Sequence, residues 1–127
     1  YYNCMDKNNL DSVEWQSRFE QSQKAVLFNE VDFDSKGTKF QVIRMEPGGG
    51  IKPHYHKVRT EVLYVLRGTG TIRQNNKEIP VSRDDFLLCK PGTVHDFNNP
   101  VDTEFIVAIF RTNDTGNSDM HWVKSED

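Results

Sequence analysis

Apolar residues are sparse and unpatterned from residue 1 to about 11, where the chain is polar and Asn-rich, as in an arm that is ordered only when docked. Over residues 12–23, Val13, Trp15 and Phe19 make a short, imperfect apolar stripe, which predicts one or two helical turns. The pattern then changes. Short runs rich in β-branched and aromatic residues follow one another at 25–28, 39–45, 61–66, 71–74, 78–81, 85–89, 94–97 and 103–110, and these read as strands. Turn signals separate them: Asp34-Ser-Lys-Gly, Pro47-Gly-Gly-Gly, Gly68-Thr-Gly, Asn75-Asn, Arg83-Asp-Asp, Pro91-Gly and Asn98-Asn-Pro. Short strands at this spacing predict an all-β sandwich or barrel. Asn75-Asn76 gives the clearest hairpin, because Asn tolerates the left-handed backbone that tight hairpin turns require. Over residues 39–45 the alternation leaves two choices open. Phe40, Val42 and Arg44 form one face and Gln41, Ile43 and Met45 the other, and each contains polar and apolar members.

Composition narrows the class. With 127 residues and a net charge of −3, the chain is one mildly acidic domain, divided into an arm or short helix at 1–23, a barrel at 24–112 and a polar tail at 113–127. A chain of this length buries roughly 65–70% of its unfolded surface, so the fold needs no disulfide. The longest apolar runs, residues 86–89 and 105–110, fall well short of a membrane span of roughly 18–20 residues. Basic residues are scattered rather than massed, so neither a membrane nor a nucleic acid is expected as partner. Cys4 and Cys89 make neither a disulfide framework nor a zinc-finger spacing, and no basic stretch followed by an apolar one opens the sequence, which together predict a cytoplasmic protein. Cys89, in the apolar run before Pro91, reads as a small buried hydrophobe.

Candidate chemistry lies in the histidines. Three of the four, His54, His56 and His95, fall beside glycine and proline turns. His54 and His56 are two apart, so in an extended segment both imidazoles leave the same face and can converge on one ion about 2 Å from each nitrogen. Glu61 follows after a turn's length, and His95 can complete the set from a later strand. His121, beside Trp122 in the polar tail, reads as a docking contact. Arg44, Arg73, Lys52 and Arg59 become interesting only if they point inward.

From Gly48 the sequence runs G-x5-H-x-H-x4-E-x6-G to Gly68, and downstream Pro91 to Asn99 reads P-G-x-x-H-x3-N. The chain resembles the cupin superfamily, whose two motifs have this order and spacing. The second motif departs from the usual pattern at Asp84, where the family usually has Gly, and at Lys90, where it usually has Pro. The resemblance implies a double-stranded β-helix, or jelly-roll-like, barrel with a divalent metal held by His54, His56, Glu61 and His95. Gly48, Gly68, Pro91 and Gly92 are then turn formers, and Asn99 makes a turn or strand-end hydrogen bond.

Three neutral imidazoles and one carboxylate leave a divalent ion with a net charge of about +1 and, on an octahedral ion, two open positions. The donor set suits Fe, Mn, Ni, Cu or Zn. The expectation is therefore a metal-dependent cupin acting on a small organic molecule, with oxygenase (dioxygenase-like) chemistry preferred. A non-catalytic metal- or small-molecule-binding cupin and a sugar isomerase or epimerase are the alternatives. A sugar phosphate substrate would call for convergent inward Lys or Arg, and a nonpolar substrate for an apolar pocket of Phe and Ile. Cupins commonly dimerise, and Trp15, Phe19, Val26, Leu27 and Phe28 would need covering in a lone chain, so a homodimer is expected.

Overall fold

The computed structural model describes residues 7–18 and 21–124. Phe19 and Cys4 lie outside the described residues. The order is a 3-10 turn at Leu10–Ser12, β1 (Gln16–Ser17), β2 (Ser22–Phe28), α1 (Glu30–Phe33), β3 (Lys39–Met45), β4 (Gly50–Tyr55), β5 (Thr60–Arg67), β6 (Thr69–Gln74), β7 (Lys77–Ser82), β8 (Phe86–Cys89), β9 (His95–Asn98), β10 (Phe105–Thr112), a second 3-10 turn at Asn117–Asp119 and β11 (His121–Trp122). Two antiparallel sheets form. The first has six strands in the order β1-β2-β3-β10-β5-β8, and the second has five in the order β11-β4-β9-β6-β7. This is an all-β jelly-roll barrel. Among the described residues no helix is long and apolar enough to cross a membrane.

The inner faces alternate as strand geometry requires. Ile43, Met45, Leu63, Val65, Phe105, Val107 and Ile109 from the first sheet meet Ile51, Ile72, Val81 and Phe97 from the second in one buried cluster. The ambiguity in β3 is thereby settled: Gln41, Ile43 and Met45 face the interior. Val42 is equally buried, but against a second cluster on the outside of the first sheet, where Ala25, Ile106 and Ala108 are covered by Leu10, Val13 and Trp15. The helical turns expected over 12–23 are not seen among its described residues. Val13 and Trp15 sit two apart on an extended segment that lids this outer cluster, and Arg44 stacks 4.5 Å over the Trp15 ring.

That lid alters the ground on which a homodimer was expected. Trp15, Val26, Leu27 and Phe28 are partly covered by their own chain. Apolar side chains left outside include instead Val62, Tyr64, Phe86 and Leu88, paired across β5 and β8.

Turns follow the residues that permit them. Asn75 and Asn76, at φ 48° and 68°, join β6 to β7 as the sequence predicts. Asp84 takes φ 75°, so the left-handed turn is kept with an acidic residue in place of glycine. Gly68 joins β5 to β6 at φ 76°, and a Cβ there would run into the Glu104 carbonyl. Asn99 is fully buried; its amide donates to the Met45 and Thr103 carbonyls and accepts from the Val101 N–H, tying strand ends together.

Candidate metal centre

The register of β4 against β9 aims the first candidate ligand. Ile51 pairs with Phe97 and His54 with His95, so three steps along β4 match two along β9, and the irregularity falls between Ile51 and His54. Without it, residues three apart would face opposite sides. The bulge turns both Ile51 and His54 inward, and Pro53, which lacks an N–H for the ladder, sits within it. His56 follows β4 directly, Glu61 lies on β5, and His95 opens β9.

All four side chains are 1–3% exposed. One ring nitrogen from each of His54, His56 and His95 lies within 4.8 Å of the other two. Each ring is held from behind. Nδ1 of His54 contacts the Lys52 carbonyl at 2.7 Å, that of His56 the Asp119 carbonyl at 2.8 Å, and that of His95 the Thr93 carbonyl at 2.9 Å. A carbonyl can only accept, so each Nδ1 carries a proton, and each ring presents a bare Nε2 to the interior once it is neutral. Glu61 Oε1 is 3.5 Å from His56 Nε2 and 3.3 Å from His95 Nε2. Neither contact is aligned as a hydrogen bond, and both buried Nε2 atoms lack a hydrogen-bond partner among the described residues. Orphaned buried nitrogens that converge beside a carboxylate are what an absent cation would satisfy, so the residues fit a divalent metal.

The surroundings supply residues that motif reading did not assign. Glu61 Oε2 accepts from Arg111 Nε at 2.6 Å, and Arg59 stands 3.8 Å away. Burial pushes the Glu61 carboxyl up, yet contacts with His56, His95 and Arg111 outweigh it and hold the group well below the usual carboxylate range. His54 is driven down to about 3 by burial, helped by neighbouring His95 and His56. Burial also works against a charge on His95, but its bonds with Cys89, Glu61 and Thr93 prevail and raise it to about 10. With no cation present, His95 is thus the protonated partner of Glu61 and His54 is neutral.

Asp119 clamps the turn between His56 and Glu61. Its carboxylate accepts from the N–H groups of Lys57, Val58 and Arg59 at 2.7, 3.1 and 3.0 Å, while its carbonyl orients His56. The segment read as a polar tail therefore contributes to the site. β11 pairs with β4, placing Trp122 opposite His54 with ring centroids 5.6 Å apart, and His121 stacks on Tyr55 as a docking contact. Cys89 is buried as expected, but it also lies 3.2 Å from His95 Nδ1. Arg59 does point inward. Arg111 could have been found by carrying the alternation Phe105, Val107, Ile109 one step beyond the predicted strand end.

Comparison with known proteins agrees with this architecture. Residues 41–110 match the family described as Cupin domain. The oxalate-binding protein of Thermotoga maritima is 27% identical over 89 residues, which cover 68% of this chain and 74% of that protein. The tetracenomycin polyketide synthase protein TcmJ of Streptomyces glaucescens is 32% identical over 57 residues, 45% of this chain but only 38% of TcmJ. The polyketide cyclase RemF of Streptomyces resistomycificus superposes with a TM-score of 0.80 at 15% identity, covering 97% of this chain and 88% of RemF. Matched over more than half its length by the family and sharing its fold, the chain belongs to the cupins.

Proposed function

We propose that the protein is a metal-dependent cupin that binds a small organic molecule at an ion held by His54, His56, Glu61 and His95 and activates it there. The observation supporting this most directly is the back-anchoring of all three imidazoles through Nδ1, which leaves buried Nε2 atoms of His56 and His95 without partners beside Glu61. A divalent Fe, Mn, Ni, Cu or Zn ion in this donor set supplies Lewis acidity and open positions for a ligand. The chain's own residues do the rest. The carbonyls of Lys52, Asp119 and Thr93 fix ring orientation and tautomer, Arg111 holds Glu61 by its outer oxygen so that Oε1 stays aimed at the site, and burial keeps bulk water away. Oxygenase-like turnover is the reaction we assign to this donor set.

A second reading, a binder without turnover, draws support from the Thermotoga relative, which is named for binding oxalate. Reconstitution of metal-free protein with each ion, followed by oxygen uptake and product mass across a set of metabolites, separates the two. Turnover supports the enzyme, and binding without turnover under every metal supports the binder. Replacing His95 by Ala should remove most bound metal, whereas Glu61→Gln should keep some metal and lose turnover. Unchanged metal content in both variants overturns the four-ligand site.

A further inference from the structure

The polar end of the barrel carries more positive charge than its carboxylates neutralise. The strand registers set Lys39, Arg111, Glu61 and Cys89 in one row across β3, β10, β5 and β8, all on the inner face. Behind the row, Asp114 is shared by three cations: Arg59 at 2.9 Å, Lys39 at 3.7 Å and Arg111 at 3.8 Å. Arg59 and Arg111 also share Glu61. Lys24, opposite Ile43, faces the same interior from β2. Among the described residues Lys24 has no carboxylate at ion-pair distance; Arg18, Lys39 and Arg111 repel its charge and Asp114 attracts it more weakly. Five basic groups, Arg18, Lys24, Lys39, Arg59 and Arg111, thus stand against three acidic ones, Glu61, Asp114 and Asp119, and a metal ion bound through Glu61 adds further positive charge.

Two buried polar atoms beside the row are also unsatisfied. Arg59 Nε and Gln41 Oε1 have no hydrogen-bond partner among the described residues, although the two residues are 3% and 1% exposed. Leaving a guanidinium N–H orphaned in the interior is costly unless something else accepts from it. A carboxylate would accept from Arg59, and the Gln41 amide, turned about its last bond, would present its NH₂ to an anion from one step further along the inner face.

We infer that this row is the second half of the ligand site and selects a small organic carboxylate, with the metal taking one end of the molecule and Lys24, Lys39, Arg59 and Gln41 holding its anionic group. The inference rests on the metal-centre reading for the first end only, because the cation row exists in the chain without any ion.

The test is calorimetric titration of cobalt(II)-loaded protein with malonate and with malonamide, its neutral counterpart. Malonate should bind about tenfold or more tightly than malonamide to the metal-free protein as well as to the cobalt-loaded one. Cobalt itself also prefers a carboxylate, so only the preference that persists without it belongs to the row. Lys24→Met and Lys39→Met should each lower malonate affinity severalfold while leaving cobalt affinity unchanged, and exposed Lys77→Met should change nothing. Lys24→Met breaks no ion pair and relieves repulsion, so it keeps a folded test available if Lys39→Met destabilises the chain. Equal binding of the two probes, or full malonate preference in both variants, overturns the inference. Inorganic phosphate binding as tightly as malonate overturns the carboxylate assignment. Cobalt uptake measured separately tests the metal centre. If the chain takes up none, that reading fails, and the preference for malonate is still decided on the metal-free protein.

Discussion

Arg111 Nε lies 2.6 Å from Glu61 Oε2, so the carboxylate that faces two imidazoles with one oxygen is gripped by a guanidinium through the other. Removing one partner of such a buried pair strands the other. Arg111→Met should destabilise the metal-free protein by about 3 kcal/mol. A bound divalent ion restores a countercharge to Glu61, so the rise in melting temperature on adding metal should be larger in the variant than in the wild type. Equal rises would show that Arg111 does not share Glu61 with the cation site.

The unequal histidines set the pH dependence of metal uptake. His54, down at about 3, offers no proton competition near neutrality, while His95, up at about 10, must release a proton before its Nε2 can bind. Metal affinity should therefore rise about tenfold per pH unit across the neutral range, with about one proton released per ion in buffers of differing ionisation enthalpy. For the metal-free fold the sign is opposite. A raised histidine stabilises fully below its unfolded value of about 6.5, and that contribution is lost as pH rises through about 10. Thermal melts of metal-free protein at pH 6, 8 and 10 check this.

Asp119→Asn keeps the size of the side chain and removes the charge that three backbone N–H groups point to. A loss of about 1.5–3 kcal/mol in urea unfolding is expected. Because the turn it clamps connects His56 to Glu61, metal affinity should fall about tenfold as well. A stability loss with metal affinity unchanged would mean the clamp only holds the turn.

Trp15→Ala should cost about 1.5–3 kcal/mol by uncovering Ala25, Val42 and Ala108 and removing the platform under Arg44. Metal affinity should be unaffected, because the outer cluster and the metal centre lie on opposite faces of the same sheet. Denaturant melts alongside metal titration separate the two effects.

Much of this was readable from residue order. The range of β3, the Asn75-Asn76 hairpin and the gathering of His54, His56, Glu61 and His95 follow from alternation, turn chemistry and motif spacing. The N-terminal segment departs from its helical spacing, because Val13 and Trp15 lie on an extended stretch that covers the outer cluster. The decisive factor was the exposed underside of β2, β3 and β10, a tertiary demand that local spacing does not display. Asp119 escaped notice for a related reason. An aspartate in a polar tail resembles any solvated residue until the turn whose N–H groups it collects is folded beside it.

That clamp also puts the assembly of the site in chronological order. His56 and Asp119 are bonded across 63 positions of sequence. A nascent chain that has emerged as far as Thr112 already carries all four side chains proposed to hold the ion and the whole antiparallel framework of β2 to β10. It still lacks the carbonyl that orients one imidazole and the carboxylate that tightens the turn to Glu61. During synthesis the barrel can close before its centre is competent, so a cation arriving early meets an incomplete cage and the finished affinity appears only when the final segment docks.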